Sequence, residues 1–150
     1  DICVEGEDES ASLSLTLNTL HMIAAKQRSL RFIKAAFEMR CAVGAGYTPM
    51  LDGGCGVCGR TDARNLDCAG GCLICDSCAL KPEHKGIAVG LHPDVIRAIR
   101  YIAEAAPSRV FAFRLTEEAE LNFFDVCENY LTAQIDRRFP TLEYFNALYG

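Results

Sequence analysis

The sequence lacks several features that would assign it quickly. There is no basic excess: fifteen Lys and Arg stand against twenty Asp and Glu, a formal net charge of -5. A chain that grips nucleic acid unaided neutralises phosphates with a basic surface, so this balance argues against an independent nucleic-acid-binding module. No run of eighteen uncharged apolar residues occurs, which argues against a membrane-spanning helix. Asp1-Ile2-Cys3-Val4-Glu5 reads as neither a signal peptide nor a normal initiation site; it opens without Met in an acidic stretch, so the start reads as a cut end. There is no Gly-x-Ser-x-Gly elbow, phosphate loop or dinucleotide fingerprint, and hence no visible active site. Repeats and low-complexity segments are also missing.

What remains is a 150-residue chain, half of it apolar, with a mean hydropathy of +0.09. That is length for one domain with a real core, and too apolar for disorder. Helical periodicity begins at Ala11, with Leu13, Leu17, Leu20 and Ala24 on one stripe. Ser29 is placed to cap a second helix over 30–43. Its two adjacent apolar faces, Leu30/Ile33/Phe37/Cys41 and Phe32/Ala36/Met39/Val43, make it central to the core. Gly44-Ala45-Gly46 stops that helix. Pro93 suits a first helical position, and Val95, Ile99, Ile102 and Ala106 share the next apolar face. Val110–Phe113 reads as a connector packed on the core. Thr116 caps a helix whose first turn holds Glu117, Glu118 and Glu120, charges that favour a helix N-terminus. Phe124, Cys127, Leu131 and Gln134/Ile135 run along that helix, which ends near Arg137-Arg138; a short helix follows over about 141–149. The expected fold is mainly α: one helical domain over 1–150, of about five helices, with a small zinc-ribbon-like insert at 52–80.

The insert holds six of the nine cysteines and half of the glycines. It reads Cys55-Gly-Val-Cys58-Gly59, then Cys68, then Gly70-Gly71-Cys72-Leu-Ile-Cys75-Asp-Ser-Cys78. Each Cys-x-x-Cys puts two thiolates on one turn, and two such turns supply a tetrahedral sulfur cage with zinc–sulfur distances of about 2.3 Å. On the second side the register is ambiguous. Cys72/Cys75 leaves 13 residues after Cys58, and Cys75/Cys78 leaves 16; the common ribbon spacing is about 15–20. The expected ligands are therefore Cys55, Cys58, Cys75 and Cys78, with Cys72 on a short strand and still an alternative ligand. Four thiolates on one zinc leave no open position, so the metal would be structural.

The rivals are a disulfide knot, a thioredoxin-like pair and an iron–sulfur cluster. An odd cysteine count disfavours the first, and the missing βαβ context disfavours the second. A zinc-ribbon adaptor or transcription-related protein is the alternative function, and a redox enzyme using Cys72 with Cys75 or Cys78 is a third. His21 reads as structural, His92 as a cap or surface residue, and His84 as a weaker substitute ligand. Cys41 and Cys127 fit apolar positions, Cys3 lies at the end of the chain, and Cys68 reads as packing or an alternative ligand.

Phe37-Glu38-Met39-Arg40, then Gly46-Tyr47-Thr48-Pro49-Met50-Leu51-Asp52, then Cys55-x-x-Cys58-Gly59, Gly70-Gly71 and Cys75-x-x-Cys78 follow one another in the order seen in one family. The chain resembles the C-terminal region of the bacterial DNA repair protein RecO family, most specifically where the Phe-Glu helix runs into Gly-Tyr-x-Pro and the two cysteine pairs. Thr141-Leu142-Glu143-Tyr144-Phe145 resembles its closing helix, so the resemblance covers most of residues 12–150. The chain departs from the family in three places. The N-terminal OB-fold is absent, the second cysteine pair lies one residue further from Gly-Gly, and Pro140-Thr141 replace a Lys-Ser pair.

The resemblance implies a non-catalytic recombination mediator that supports DNA annealing and recombinase loading. The implied partners are RecR and the acidic C-terminal tail of the single-stranded-DNA-binding protein. DNA is implied as a ligand of the full-length protein, with weak binding by this fragment. It further implies a cytoplasmic, nucleoid-associated bacterial protein with no membrane contact. The tail would dock in an apolar groove edged by cations, for which Arg31, Lys34 and Arg40 are the candidates here.

Overall fold

The computed structural model describes residues 10–135 and 140–149. Five helices of ten residues or more account for most of it: α1 (Ser10–Ala25), α2 (Leu30–Gly44), α4 (Pro93–Glu104), α5 (Glu117–Ile135) and α6 (Pro140–Tyr149). Between α2 and α4 lies the cysteine-rich segment. It contains β1 (Asn65–Asp67), β2 (Cys72–Ile74) and a single helical turn α3 (Asp76–Ala79), and β3 (Ala88–Gly90) follows it. The fold is thus mainly α with a small β element, as the sequence predicts. No described helix is long and apolar enough to cross a membrane. Cys3 and the helix end at Arg137-Arg138 lie outside the described residues.

The sequence places α2 at the centre, and it is there, in contact with α1, α4 and α5. Phe32, Ile33, Ala35, Ala36, Met39 and Ala42 are all buried. Its ends are closed by the residues expected to close them. The Phe32 backbone N–H donates to Ser29 Oγ at 3.0 Å, satisfying a donor the helix itself leaves open. Ser29 Oγ in turn donates to Glu120 in the first turn of α5, so one hydroxyl joins two helix N-termini. At the other end Tyr47 N–H donates to the Ala42 carbonyl at 2.8 Å and Gly46 N–H to Val43 at 3.0 Å. This Schellman pairing needs a left-handed residue, and Gly46 supplies it at φ +89°. Replacing Ser29 by alanine is expected to cost about 1 kcal/mol in urea unfolding, since the cap and its tie to α5 go together.

α4 buries Val95, Ala98, Ile99 and Ile102, with Pro93 in the first turn and His92 as its N-cap, accepting from the Asp94 N–H at 3.1 Å. The connector after α4 packs as expected. Val110 and Phe111 are buried, and Phe113 lies 4.9 Å from Phe32 and 5.7 Å from Phe123 between ring centroids.

Two helices turn differently from what periodicity suggests. α5 buries Ala119, Phe123, Val126, Cys127 and Tyr130, so Phe124 and Leu131 sit at the margin of the core. Both faces of α5 are apolar, and α2 covers the one centred on Phe123. On α1 the buried residue is Leu15, and the Leu13/Leu17/Leu20 stripe points outward. A helix apolar on two sides leaves the choice of inner face to tertiary packing.

The sheet is antiparallel in the order β2-β1-β3, with Leu66 opposite both Leu73 and Val89. Its third strand follows residue 80, beyond the cysteine-rich stretch. Leu66 is fully buried in the central strand. α5 anchors this sheet at both ends. Gln134 Nε2 donates to the Cys68 carbonyl at 2.8 Å, and Asn122 Nδ2 donates to the Gly90 carbonyl at 2.7 Å. The β1–β2 turn approaches so closely that a Cβ on Gly71 (φ +64°) would lie 3.3 Å from the Tyr130 hydroxyl.

Candidate metal centre and partner groove

Two loops carry the expected ligands, and local hydrogen bonds shape both. In the first, Cys55 N–H donates to the Arg60 carbonyl and Gly59 N–H to the Cys55 carbonyl, each at 2.7 Å, closing a tight loop around Cys55 and Cys58. Gly59 takes φ +75°, the left-handed conformation its lack of a Cβ permits. In the second, Cys75 caps the single turn α3, and Cys78 N–H donates back to the Cys75 carbonyl at 3.0 Å. The two loops are stitched together where Gly56 N–H donates to the Leu73 carbonyl at 2.8 Å.

These loops bring four sulfurs together. The Sγ atoms of Cys55, Cys58, Cys75 and Cys78 all lie within 4.8 Å of one another, and those of Cys58 and Cys75 are 3.7 Å apart. Tetrahedral zinc with bonds of about 2.3 Å separates its sulfurs by about 3.8 Å, so the donor set fits a divalent zinc ion in type, number and spacing. All four are free thiols. Cys55, Cys75 and Cys78 are buried, while Cys58 faces solvent.

Crowding four thiols makes their titration uneven. Donation from backbone amides, that of Cys75 foremost, draws the Cys55 thiol down to about 6 against the opposing effect of burial. Burial pushes Cys78 up to about 12, with the neighbouring cysteines adding to it. Binding a divalent metal reverses that penalty, because the ligand form of cysteine is the thiolate. The bound site would carry a local charge of about -2. Arg60, held by Asp62 at 3.0 Å, lies close enough to Cys75 and Cys58 to offset part of it.

The remaining insert residues fall elsewhere. Cys72 is half-buried against the first loop; a Cβ on Gly56 would lie 2.6 Å from its sulfur, so the glycine is there to make room for it. Cys68 is buried in the main core, and that burial pushes its thiol to about 11. His84 faces Asp67 at 3.4 Å and does not join the sulfur cluster.

The three candidate cations of α2 do not form one patch. Lys34 Nζ bridges Glu38 at 2.8 Å and Glu128 at 3.3 Å and sits 4.9 Å from the centre of the Phe124 ring. The Arg31 guanidinium lies over the same ring at 5.6 Å. Arg40 lies on the other side of the helix, donating to the Ala103 carbonyl near the end of α4 at 3.1 Å. Nine positions along a helix amount to about half a turn of rotation, which sets Arg40 opposite Arg31.

Lys34 stands at the rim of a groove of about 360 Å³ between α2, α5 and α6, floored by Phe37, Leu131, Ile135 and Phe145. The family resemblance implies an apolar groove edged by cations; the residues of its apolar lining and its acidic rim of Glu38 and Glu128 were not read from the sequence. Glu38 carries an i,i+4 signal with Lys34, but Glu128 is 94 residues away and gives none. Burial raises the Glu38 carboxyl above its ordinary range, with Lys34 acting in the opposite sense.

Residues 2–143 match the family model described as "Recombination protein O C terminal". The chain is also 25% identical over 150 residues to the DNA repair protein RecO of Acetivibrio thermocellus, an alignment covering 99% of this chain and 58% of the relative. It thus spans about 58% of the length of that curated relative. A helical core carrying two cysteine loops is what the family resemblance predicts, and with a match running over nearly its whole length the chain belongs to the Recombination protein O C-terminal family.

Proposed function

We propose that this chain is a non-catalytic domain of a DNA repair and recombination mediator, supporting DNA annealing and recombinase loading by docking partner proteins. A single helical domain over residues 1–150 presents the docking face and carries the 52–80 segment as an insert. Cys55, Cys58, Cys75 and Cys78 hold a structural zinc. Bound there, zinc supplies a cross-link between two loops that share little apolar packing. Since the chain itself provides four thiolates, a tetrahedral site has no position left for a substrate. RecR and the acidic tail of the single-stranded-DNA-binding protein are the proposed partners. DNA is the ligand of the longer protein, and the net charge of -5 keeps this domain's own contribution weak. The proposed location is the bacterial cytoplasm, at the nucleoid.

The groove carries this reading: an apolar slot between α2, α5 and α6, with Lys34 at its rim and Arg31 beside it. An acidic peptide ending in an aromatic residue suits such a slot. Because Glu38 and Glu128 already match Lys34, the apolar floor supplies most of the affinity and the rim little. Arg40, on the opposite side of α2, contributes to holding α4 in place.

Titration with a fluorescent acidic peptide ending in phenylalanine tests it. Saturable binding is expected, abolished by Leu131→Asp and weakened only a few-fold by Lys34→Ala. Absence of binding at low ionic strength would refute the docking role.

A further inference from the structure

Among the described helices of ten residues or more, α1 differs in having no charged residue from Ser10 to Ala25. Leu15 is buried and Met22 packs against the core, yet the opposite side is also apolar. Leu13, Leu17 and Leu20 are 60%, 58% and 58% exposed, and Ile23 is 41% exposed. With Ala24, the leucines step along the helix by four, three and four residues, the spacing of a two-stranded coiled-coil seam.

We propose that this stripe pairs antiparallel with the same stripe of a second copy of the chain, about a two-fold axis passing between Leu17 and Leu20. Three observations favour a second copy. First, the 4-3-4 spacing is palindromic. In antiparallel register each Leu17 faces a Leu20 and each Leu13 an Ala24, so the patch complements itself, as an isologous contact requires. Second, each copy carries -5, and α1 is the long described helix on which two copies meet without opposing like charges. A charged partner would find no counter-charge on the helix.

Third, the flanks set the direction. Glu5, Glu7, Asp8 and Glu9 precede the first turn in sequence, and Lys26 follows the last. In sequence order alone, antiparallel pairing sets the acidic flank of one copy against the Lys26 flank of the other, whereas parallel pairing sets like against like. A 16-residue helix is about 24 Å long and, with side chains, about 10 Å wide, a footprint of about 240 Å² per copy. Standard interfaces bury about 800 Å² per partner, so this contact belongs to the weak and reversible class.

Sedimentation velocity over a wide concentration range tests the pairing. The weight-average mass is expected to rise reversibly from monomer towards dimer. Leu17→Glu with Leu20→Glu, both at exposed positions, is expected to weaken association about tenfold or more, by placing four carboxylates in the seam. The thermal unfolding of the monomer serves as the control and is expected to be preserved. Lys26→Glu is expected to weaken it a few-fold, most at low salt. A chain that stays monomeric at every concentration overturns the proposal and leaves the stripe to another partner or another part of a longer protein. A dimer unmoved by the double substitution overturns it equally.

Discussion

Cys55→Ser and Cys75→Ser are each expected to abolish retention of about one zinc per chain and to unfold the insert. The reason lies in how little else holds the two cysteine loops, beyond the Leu66 and Leu73 side that packs on the main core. The smaller core cluster of the insert consists of Cys55, Ile74, Cys75 and Cys78, so three of its four buried members are the ligands themselves. Strands β1 and β2 are three residues each, too short to be stable without help. Structural zinc in small modules contributes about 10–16 kcal/mol of apparent binding free energy at neutral pH, which far exceeds what these strands supply.

Metal analysis and far-UV circular dichroism of the purified chain check the outcome. A strong chelator should reproduce it in the unmodified protein. Cys72→Ser is the contrasting variant: its sulfur packs beside the first loop without being among the four clustered ligands, so zinc content should stay near one per chain. Acidification should release the metal, because protons compete for the thiolates. Full zinc content in Cys55→Ser, or a metal-free protein with these cysteines joined as disulfides, would sink the assignment.

The second large effect is expected in the helical core. Phe32 is fully buried on α2. Its ring lies 4.9 Å from Phe113 and 6.2 Å from Phe123, with the Arg28 guanidinium 4.7 Å from its centre. Phe32→Ala removes a side chain that α2, α5 and the 110–113 connector all share. Large-to-small changes of this kind cost about 3–5 kcal/mol, the lost transfer energy plus the cavity left behind. Against a total stability of about 5–15 kcal/mol, that is a large fraction, and the melting temperature should fall by on the order of 10 °C. Urea unfolding measures it directly. A loss below about 1 kcal/mol would show that the three elements do not depend on this ring. Zinc content should be retained in folded Phe32→Ala, since the sulfur cluster forms a separate buried group.

Much of this was legible locally. Ser29, Pro93 and Thr116 announce helix starts because capping depends on one side chain and the next few amides. Gly46 announces a helix end because the left-handed turn there favours a residue without a Cβ. The choice of Cys75 and Cys78 over Cys72 followed from spacing alone, and the sulfurs cluster accordingly. Less legible were the faces. Phe123 and Phe124 are adjacent and equally apolar, Leu13 and Leu15 are equally apolar two positions apart, and periodicity does not say which of two apolar faces is covered. The three cations of α2 were also indistinguishable, since each is simply a base on a helix until its neighbours are known.

The sequence by itself determined the helices, their caps and the four-sulfur set, because each depends on residues a few positions apart. The tertiary structure alone decided which apolar faces close the core, which stay open on α1 and in the α2/α5/α6 groove, and that Glu128 reaches Lys34. Those outcomes depend on packing between segments distant in the chain, and burial is a property of the assembled neighbours rather than of the residue.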